Sequence, residues 1–116
     1  MSYLNPPTAV DQDIERTDRT GGVLYEIARE RSRQDAKWGE QNHPDGTGRD
    51  YAEDARIARN ACQYAALNDR VTWRHILGEE VTEALAETDT AALREELLQV
   101  AAVAVAWVEA IDRRTA

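Results

Sequence analysis

Apolar residues recur at helical spacing in several segments of the chain, and short polar stretches separate these segments. In residues 23–37, for example, Val23, Leu24 and Ile27 fall on one helix face, with charged residues around the rest. No stretch shows the alternation of apolar and polar residues that is typical of a strand. The pattern therefore predicts an all-α fold. Its four main helices are predicted over residues 23–37, 51–67, 73–87 and 90–113.

Polar residues with capping chemistry stand at the predicted helix starts. Asp50 is a plausible N-cap for the second helix and Thr72 for the third. Either Asp89 or Thr90 is expected to cap the fourth helix. Residues 38–48 are rich in Gly, Asn, Asp and Pro, which predicts a loop between the first two helices.

The first 22 residues differ from the rest of the chain. Pro6–Pro7 and Gly21–Gly22 break regular structure, and residues 11–20 are almost wholly polar. We therefore expect an irregular N-terminal leader over residues 1–22 and a helical domain over residues 23–116. The leader is either disordered or draped over a partner subunit.

The last predicted helix is apolar on every side between residues 97 and 108, with Gln99 as the exception. A helix that is hydrophobic all round is normally buried all round. A chain of 116 residues can build only a modest core and cannot enclose one helix completely. The helix is thus expected at the centre of a bundle completed by oligomerisation, as a homodimer or homotetramer.

The charge balance and the single cysteine narrow the class of protein. The net charge of -8, from 14 basic and 22 acidic residues, argues against a general nucleic-acid binder. A lone Cys62 excludes an internal disulfide framework and suits the reducing cytoplasm. No signal-peptide pattern is present, and the longest apolar run, residues 100–108, is far shorter than the roughly 20 residues of a membrane helix. A cytoplasmic protein without a membrane partner is expected.

Two acidic clusters carry the candidate chemistry. Glu79, Glu80 and Glu83 lie on the third predicted helix, and Glu96 with Gln99 on the fourth. Residues three or four apart share a helix face, so an antiparallel pair of helices would bring up to four carboxylates together. The obvious counter-charge is a hard divalent cation such as Mg²⁺, which prefers oxygen ligands.

Acidic clusters of this kind have two other common uses, a solvated surface and a di-iron centre. A solvated acidic surface is the common outcome for charge runs, but Glu80 borders an apolar face, where an unpaired carboxylate is costly. A di-iron bundle needs Glu-x-x-His pairs on helices. Glu40 and His43 have that spacing but fall in the loop. Mg²⁺, or Mn²⁺ in its place, is therefore preferred.

The motif Glu79-Glu80-x-x-Glu83, a spacer, and Glu96-x-x-Gln99 resembles the signature of the MazG-like all-α nucleoside triphosphate pyrophosphohydrolases. Their pattern is Glu-Glu-x-x-Glu, a spacer, and Glu-x-x-Asp. Residues 73–110 resemble the metal-binding helix pair of that family. Residues 31–46 are similar to the first helix and loop of its short phage and actinobacterial forms. The resemblance extends over residues 23–113.

The resemblance implies a four-helix MazG-like bundle that hydrolyses a nucleoside triphosphate, with a deoxynucleotide expected, to the monophosphate and pyrophosphate. It assigns Glu80, Glu83 and Glu96 to Mg²⁺, Gln99 to a neutral fourth ligand, and Glu79 to positioning or deprotonating the attacking water. Gln99 departs from the family's Asp, because an amide oxygen can ligate a hard cation but carries no charge. The alternative is a catalytically weakened nucleotide-binding or structural oligomeric module.

The end of the first helix and the following loop supply the expected substrate contacts, namely Gln34, Lys37, Trp38 and Asn42. Trp38 suits base stacking and the role of a core anchor equally well. Lys37 suits phosphate binding and ordinary capping of a helix C-terminus equally well. The sequence His43-Pro44-Asp45-Gly46 is interpreted as a turn.

Overall fold

The computed structural model describes the backbone of residues 9–115 and the side chains of residues 18–115. Residues 9–115 form four α-helices and contain no strand, which confirms the all-α prediction. A short 3-10 turn, Arg49–Tyr51, precedes the second helix. The helices are α1, Ala9–Trp38; α2, Ala52–Leu67; α3, Trp73–Ala86; and α4, Thr90–Thr115.

Helix α1 begins at Ala9, well before the predicted start at residue 23. The prediction of an irregular leader was therefore wrong for residues 9–22, and the proposed division between residues 22 and 23 falls inside this helix. Gly21 and Gly22 each cost a helix about 1 kcal/mol relative to Ala, but they keep the backbone N–H that a proline would remove. The rest of the predicted leader, residues 1–8, lies outside the described residues.

The chain forms two compact units, which are described separately. The first contains α1 and the end of α4, from Val108 onward. Within it Val23 is buried, and the Thr20 hydroxyl donates hydrogen bonds of 3.2 Å to both carboxylate oxygens of Glu109. The second unit, Asn42–Trp107, contains α2, α3 and most of α4.

Helix α2 packs against α3 in the second unit through a face of small residues. Ala55, Cys62 and Ala65 are buried on α2, and their spacing of three and seven residues places them on one face. Ala84 is buried on α3. Small side chains let the two helix backbones approach closely.

Two of the predicted caps are confirmed and one is wrong. The Thr72 hydroxyl accepts a hydrogen bond from the His75 N–H at 3.3 Å, and the Thr72 N–H donates to His75 Nδ1 at 3.1 Å, which forms a capping box. Asp89 Oδ2 accepts from the Ala92 N–H at 2.9 Å at the start of α4. Asp50 does not cap α2, because it lies within the 3-10 turn and Tyr51 occupies the N-cap position.

Helix α4 is covered on one side within a single chain. Val105 is buried, whereas Leu97 and Leu98 are 52% and 55% exposed. An apolar face of α2 is also uncovered, since Ile57 is 53% exposed and Leu67 is 84% exposed. The single chain thus does not bury α4 on every side, and oligomerisation remains a prediction.

Candidate metal centre

Three carboxylates converge between α3 and α4. One oxygen each of Glu80, Glu83 and Glu96 lies within 4.8 Å of the other two. Glu80 and Glu83 come from the same face of α3, because they are three residues apart. All three side chains are half-buried. This three-carboxylate cluster is the grouping expected from the spacing of the acidic motif.

The electrostatic environment of the cluster disfavours the charged carboxylates. Burial raises the pKa of Glu80, and the neighbouring charges of Glu83, Glu96 and Glu79 raise it further. Burial also raises the pKa of Glu96, with additional contributions from Glu83, Glu87 and Glu95. Like charges close together and removal from water both favour the neutral form.

Two oxygens of the cluster also lack a hydrogen-bond partner. Oε2 of Glu80 and Oε2 of Glu96 are buried, and neither accepts a hydrogen bond within the described part of the chain. A buried acceptor without a partner costs about 1–3 kcal/mol, and more when it is charged. A solvated acidic surface would not carry this cost. The donor set fits a hard divalent cation, which would take these oxygens as ligands and keep several waters.

In EDTA, we expect Glu80→Gln to melt at a higher temperature than the wild type near neutral pH. A pKa raised in the folded state means that the fold favours the neutral form, so stability is lost as Glu80 ionises. The advantage of the variant should be absent below the usual pKa of about 4.5 and should grow as the pH rises through the raised value. Thermal melts from pH 4 to pH 8 measure this difference.

Glu95→Gln is the matched control for this experiment, because Glu95 is exposed on α4 and lies outside the three-carboxylate cluster. Its melting temperature should gain far less with pH than that of Glu80→Gln, because Glu95 makes only the smallest of the contributions that raise the pKa of Glu96. A gain for Glu80→Gln that did not change with pH would contradict an electrostatic origin.

Glu79 lies outside the three-carboxylate cluster and faces a different neighbour. Burial raises the pKa of the Cys62 thiol, and a hydrogen bond to Glu79 raises it further. Cys62 is buried, as its position in the α2 pattern indicated. Glu79 is therefore held between α3 and α2 and does not belong to the group of converging ligands.

Gln99 lies three residues after Glu96, on the same face of α4, and is exposed. Its amide is thus on the correct side of the helix for a ligand, but it is more open to solvent than the three glutamates. The role of Gln99 as a fourth ligand stays a prediction.

The predicted substrate residues are all exposed. Trp38 is 62% exposed, so its interpretation as a core anchor is wrong for the single chain. The Lys37 ammonium lies 4.7 Å from the centroid of the Trp38 ring, and Gln34 Oε1 accepts a hydrogen bond from Arg31 at 2.8 Å. These residues lie in the first compact unit and Asn42 in the second. Substrate binding by all four stays a prediction.

One charged neighbour of the cluster was missed by the sequence analysis. Arg59 Nε on α2 lies 3.6 Å from Oε1 of Glu83. No motif marks this arginine, because only the packing of α2 against α3 brings it beside the cluster. An open cleft of about 350 Å³ adjoins the pair. It is lined by Ala55, Arg59, Glu83, Ala86, Glu87 and Glu96.

Comparisons of the chain with protein-family models, with curated proteins and with solved structures found no match. The family resemblance therefore rests on the acidic motif and its helical setting. Among the described residues, no helix is both long and apolar enough to span a membrane.

Proposed function

We propose that the protein hydrolyses a nucleoside triphosphate, a deoxynucleotide in particular, to the monophosphate and pyrophosphate in a reaction that requires Mg²⁺ or Mn²⁺. The supporting observation is the convergence of Glu80, Glu83 and Glu96, two of which bury an oxygen that accepts no hydrogen bond in the described chain. The MazG-like resemblance assigns the same three glutamates to the metal. Attack at the α-phosphate is taken from that resemblance.

The residues of the site divide into two roles. Glu80, Glu83 and Glu96 hold the cation, and Gln99 adds a neutral oxygen. Bound Mg²⁺ would neutralise phosphate charge and orient a water for attack. Glu79, which lies outside the three-carboxylate cluster, is proposed to position that water or accept its proton.

The substrate is proposed to contact the end of α1 and the loop that follows. Trp38 presents an exposed ring for base stacking, and Lys37 holds a positive charge beside it. Gln34 and Asn42 offer amides for hydrogen bonds. The net charge of -8 argues against nucleic acid as a partner, and the single Cys62 suits the proposed cytoplasmic setting. No membrane partner is proposed.

The test is to incubate the protein with Mg²⁺ and a mixture of ribo- and deoxynucleoside triphosphates and to follow the products by ³¹P NMR. Pyrophosphate and a nucleoside monophosphate are expected. Release of inorganic phosphate and a diphosphate would contradict the proposed position of attack. Omission of the metal should stop the reaction.

A second function is favoured by Gln99, which replaces a charged family ligand with a neutral one. In that case the protein is a catalytically weakened nucleotide-binding or structural oligomeric module. Nucleotide would then raise the melting temperature in the presence of Mg²⁺ without release of pyrophosphate. Thermal melts of the samples used for NMR, together with the presence or absence of pyrophosphate in their spectra, distinguish the two functions.

The uncovered apolar faces support the proposal of a homodimer or homotetramer. Exposed Leu97 and Leu98 on α4 and Ile57, Tyr64 and Leu67 on α2 would gain about 25 cal/mol per Å² when buried. Light scattering at micromolar concentration should therefore report a dimer or a larger species. A monomer of 13.0 kDa would contradict this prediction.

A further inference from the structure

Glu83 takes part in two electrostatic interactions at once. Its carboxylate belongs to the three-carboxylate cluster, and its Oε1 also forms an ion pair with Arg59 across the contact between α2 and α3. The Glu83 side chain is 25% exposed and that of Arg59 is 46% exposed. A divalent cation in the cluster would therefore compete with a guanidinium for the same carboxylate.

The cleft beside this ion pair has room for an anionic group. Ala55 and Ala86 in its lining have small side chains, and the cleft of about 350 Å³ adjoins Arg59. Arg59 is the one basic residue among the described residues that line the cleft. A guanidinium presents a planar fork of donors that matches two oxygens of a phosphate. The cleft thus places a guanidinium, a group that can bind phosphate, beside Glu83 and Glu96 of the three-carboxylate cluster and beside Glu87.

We propose that Arg59 binds a phosphate of the nucleoside triphosphate, and that its guanidinium moves from Glu83 to that phosphate when a divalent cation engages Glu83. This inference rests on the proposed function and names a substrate-binding residue for it. Without metal, Arg59 partly neutralises the three-carboxylate cluster. With metal and substrate present, the same positive charge faces the triphosphate.

The ion pair between Arg59 and Glu83 is weak enough to permit this exchange. Ion pairs that are open to solvent contribute little to stability, so Arg59 can leave Glu83 at small cost. A guanidinium beside a bound dication is repelled unless an anion lies between them. Binding of the cation and binding of the triphosphate should therefore strengthen each other, and this coupling is reciprocal.

The test uses titration calorimetry with two probes, Mn²⁺ alone and inorganic triphosphate added to the Mn²⁺-loaded protein. We expect Arg59→Gln to bind Mn²⁺ alone about three- to fivefold more tightly, because a competing positive charge is gone. The same variant should bind inorganic triphosphate at least about tenfold more weakly, because a charged hydrogen bond is lost. Arg59→Lys keeps the positive charge but loses the planar fork of donors. Its affinity for triphosphate should therefore lie between the affinities of the wild type and of Arg59→Gln.

Arg56→Gln is the matched control. Arg56 lies on α2 three residues before Arg59 and forms an exposed ion pair with Glu53. Both affinities should stay at the wild-type values in this variant. Circular dichroism should show that all variants keep the helical fold.

Either of two results would overturn the role of Arg59. Weaker Mn²⁺ binding in Arg59→Gln would mean that the arginine holds Glu83 in place for the metal. Unchanged triphosphate binding would mean that it does not contact phosphate. If the wild type binds both probes but releases no pyrophosphate from any nucleotide, the proposed hydrolysis fails, while the binding data still decide the role of Arg59. A wild type that binds no Mn²⁺ would overturn both proposals.

Discussion

Replacement of Glu80 or Glu83 by glutamine is expected to abolish Mg²⁺-dependent pyrophosphate release while the helical circular dichroism signal stays intact. Each substitution keeps the size of the side chain and removes one negative charge from the three-carboxylate cluster. Loss of residues that only support metal ligands typically costs 10–100-fold in affinity or activity. Loss of a ligand itself should therefore reduce turnover by more than about 100-fold. The measurement is the initial rate of pyrophosphate release at saturating Mg²⁺.

The fold should tolerate these changes. Glu80 has a raised pKa and a buried oxygen without a hydrogen-bond partner in the described chain, so its charge does not stabilise the native state. Glu83 would lose its contact with Arg59, which is open to solvent and worth little. Glu95→Gln serves as the control and should keep the wild-type rate. Wild-type turnover in both Glu80→Gln and Glu83→Gln would place the active site elsewhere.

Gln99→Asp should make the melting temperature respond to Mg²⁺ much more steeply than it does in the wild type. Position 99 lies on the face of α4 that carries Glu96, and aspartate would add a charged ligand there. With Mg²⁺, stronger attraction between ion and ligand should tighten binding roughly tenfold, or ~1.4 kcal/mol. In EDTA, the new charge should lower stability slightly through repulsion, since the position is exposed.

Thermal melts of both proteins across a Mg²⁺ titration measure these opposite effects. Gln63→Asp introduces the same chemical change at an exposed position of α2, and its curve should run parallel to that of the wild type. If the curve of Gln99→Asp is also parallel to the wild type, then Gln99 lies outside the metal shell. The fourth ligand would in that case be water or a substrate oxygen.

The starts of α3 and α4 were predictable because capping residues mark them, whereas the predicted cap of α2 was wrong. Thr72 and Asp89 cap α3 and α4 where the sequence indicated, and α3 ends at Ala86, one residue before the predicted end. The start of α1 was missed because polar residues and Gly21–Gly22 were interpreted as a break. Composition of this kind lowers helix propensity without preventing a helix.

The acidic site was predictable only in part. The spacing of Glu80 and Glu83 within one helix, and the position of Glu96 on the next, were sufficient to predict their convergence. Arg59 and Cys62 could not be placed beside the site in the same way, because they come from α2 and reach it through helix packing. Local spacing likewise does not show whether a second copy covers the exposed faces of α2 and α4, so oligomerisation stays a prediction.

The most direct test of the metal centre is the number of Mn²⁺ ions bound per chain, measured from the loss of the free-ion signal in electron paramagnetic resonance. The wild type and Glu95→Gln should bind Mn²⁺ stoichiometrically, because the exposed Glu95 lies outside the three-carboxylate cluster. Glu80→Gln and Glu96→Gln should leave the ion free at the same concentrations. Equal binding by all four proteins would contradict the assignment of these glutamates as the metal ligands.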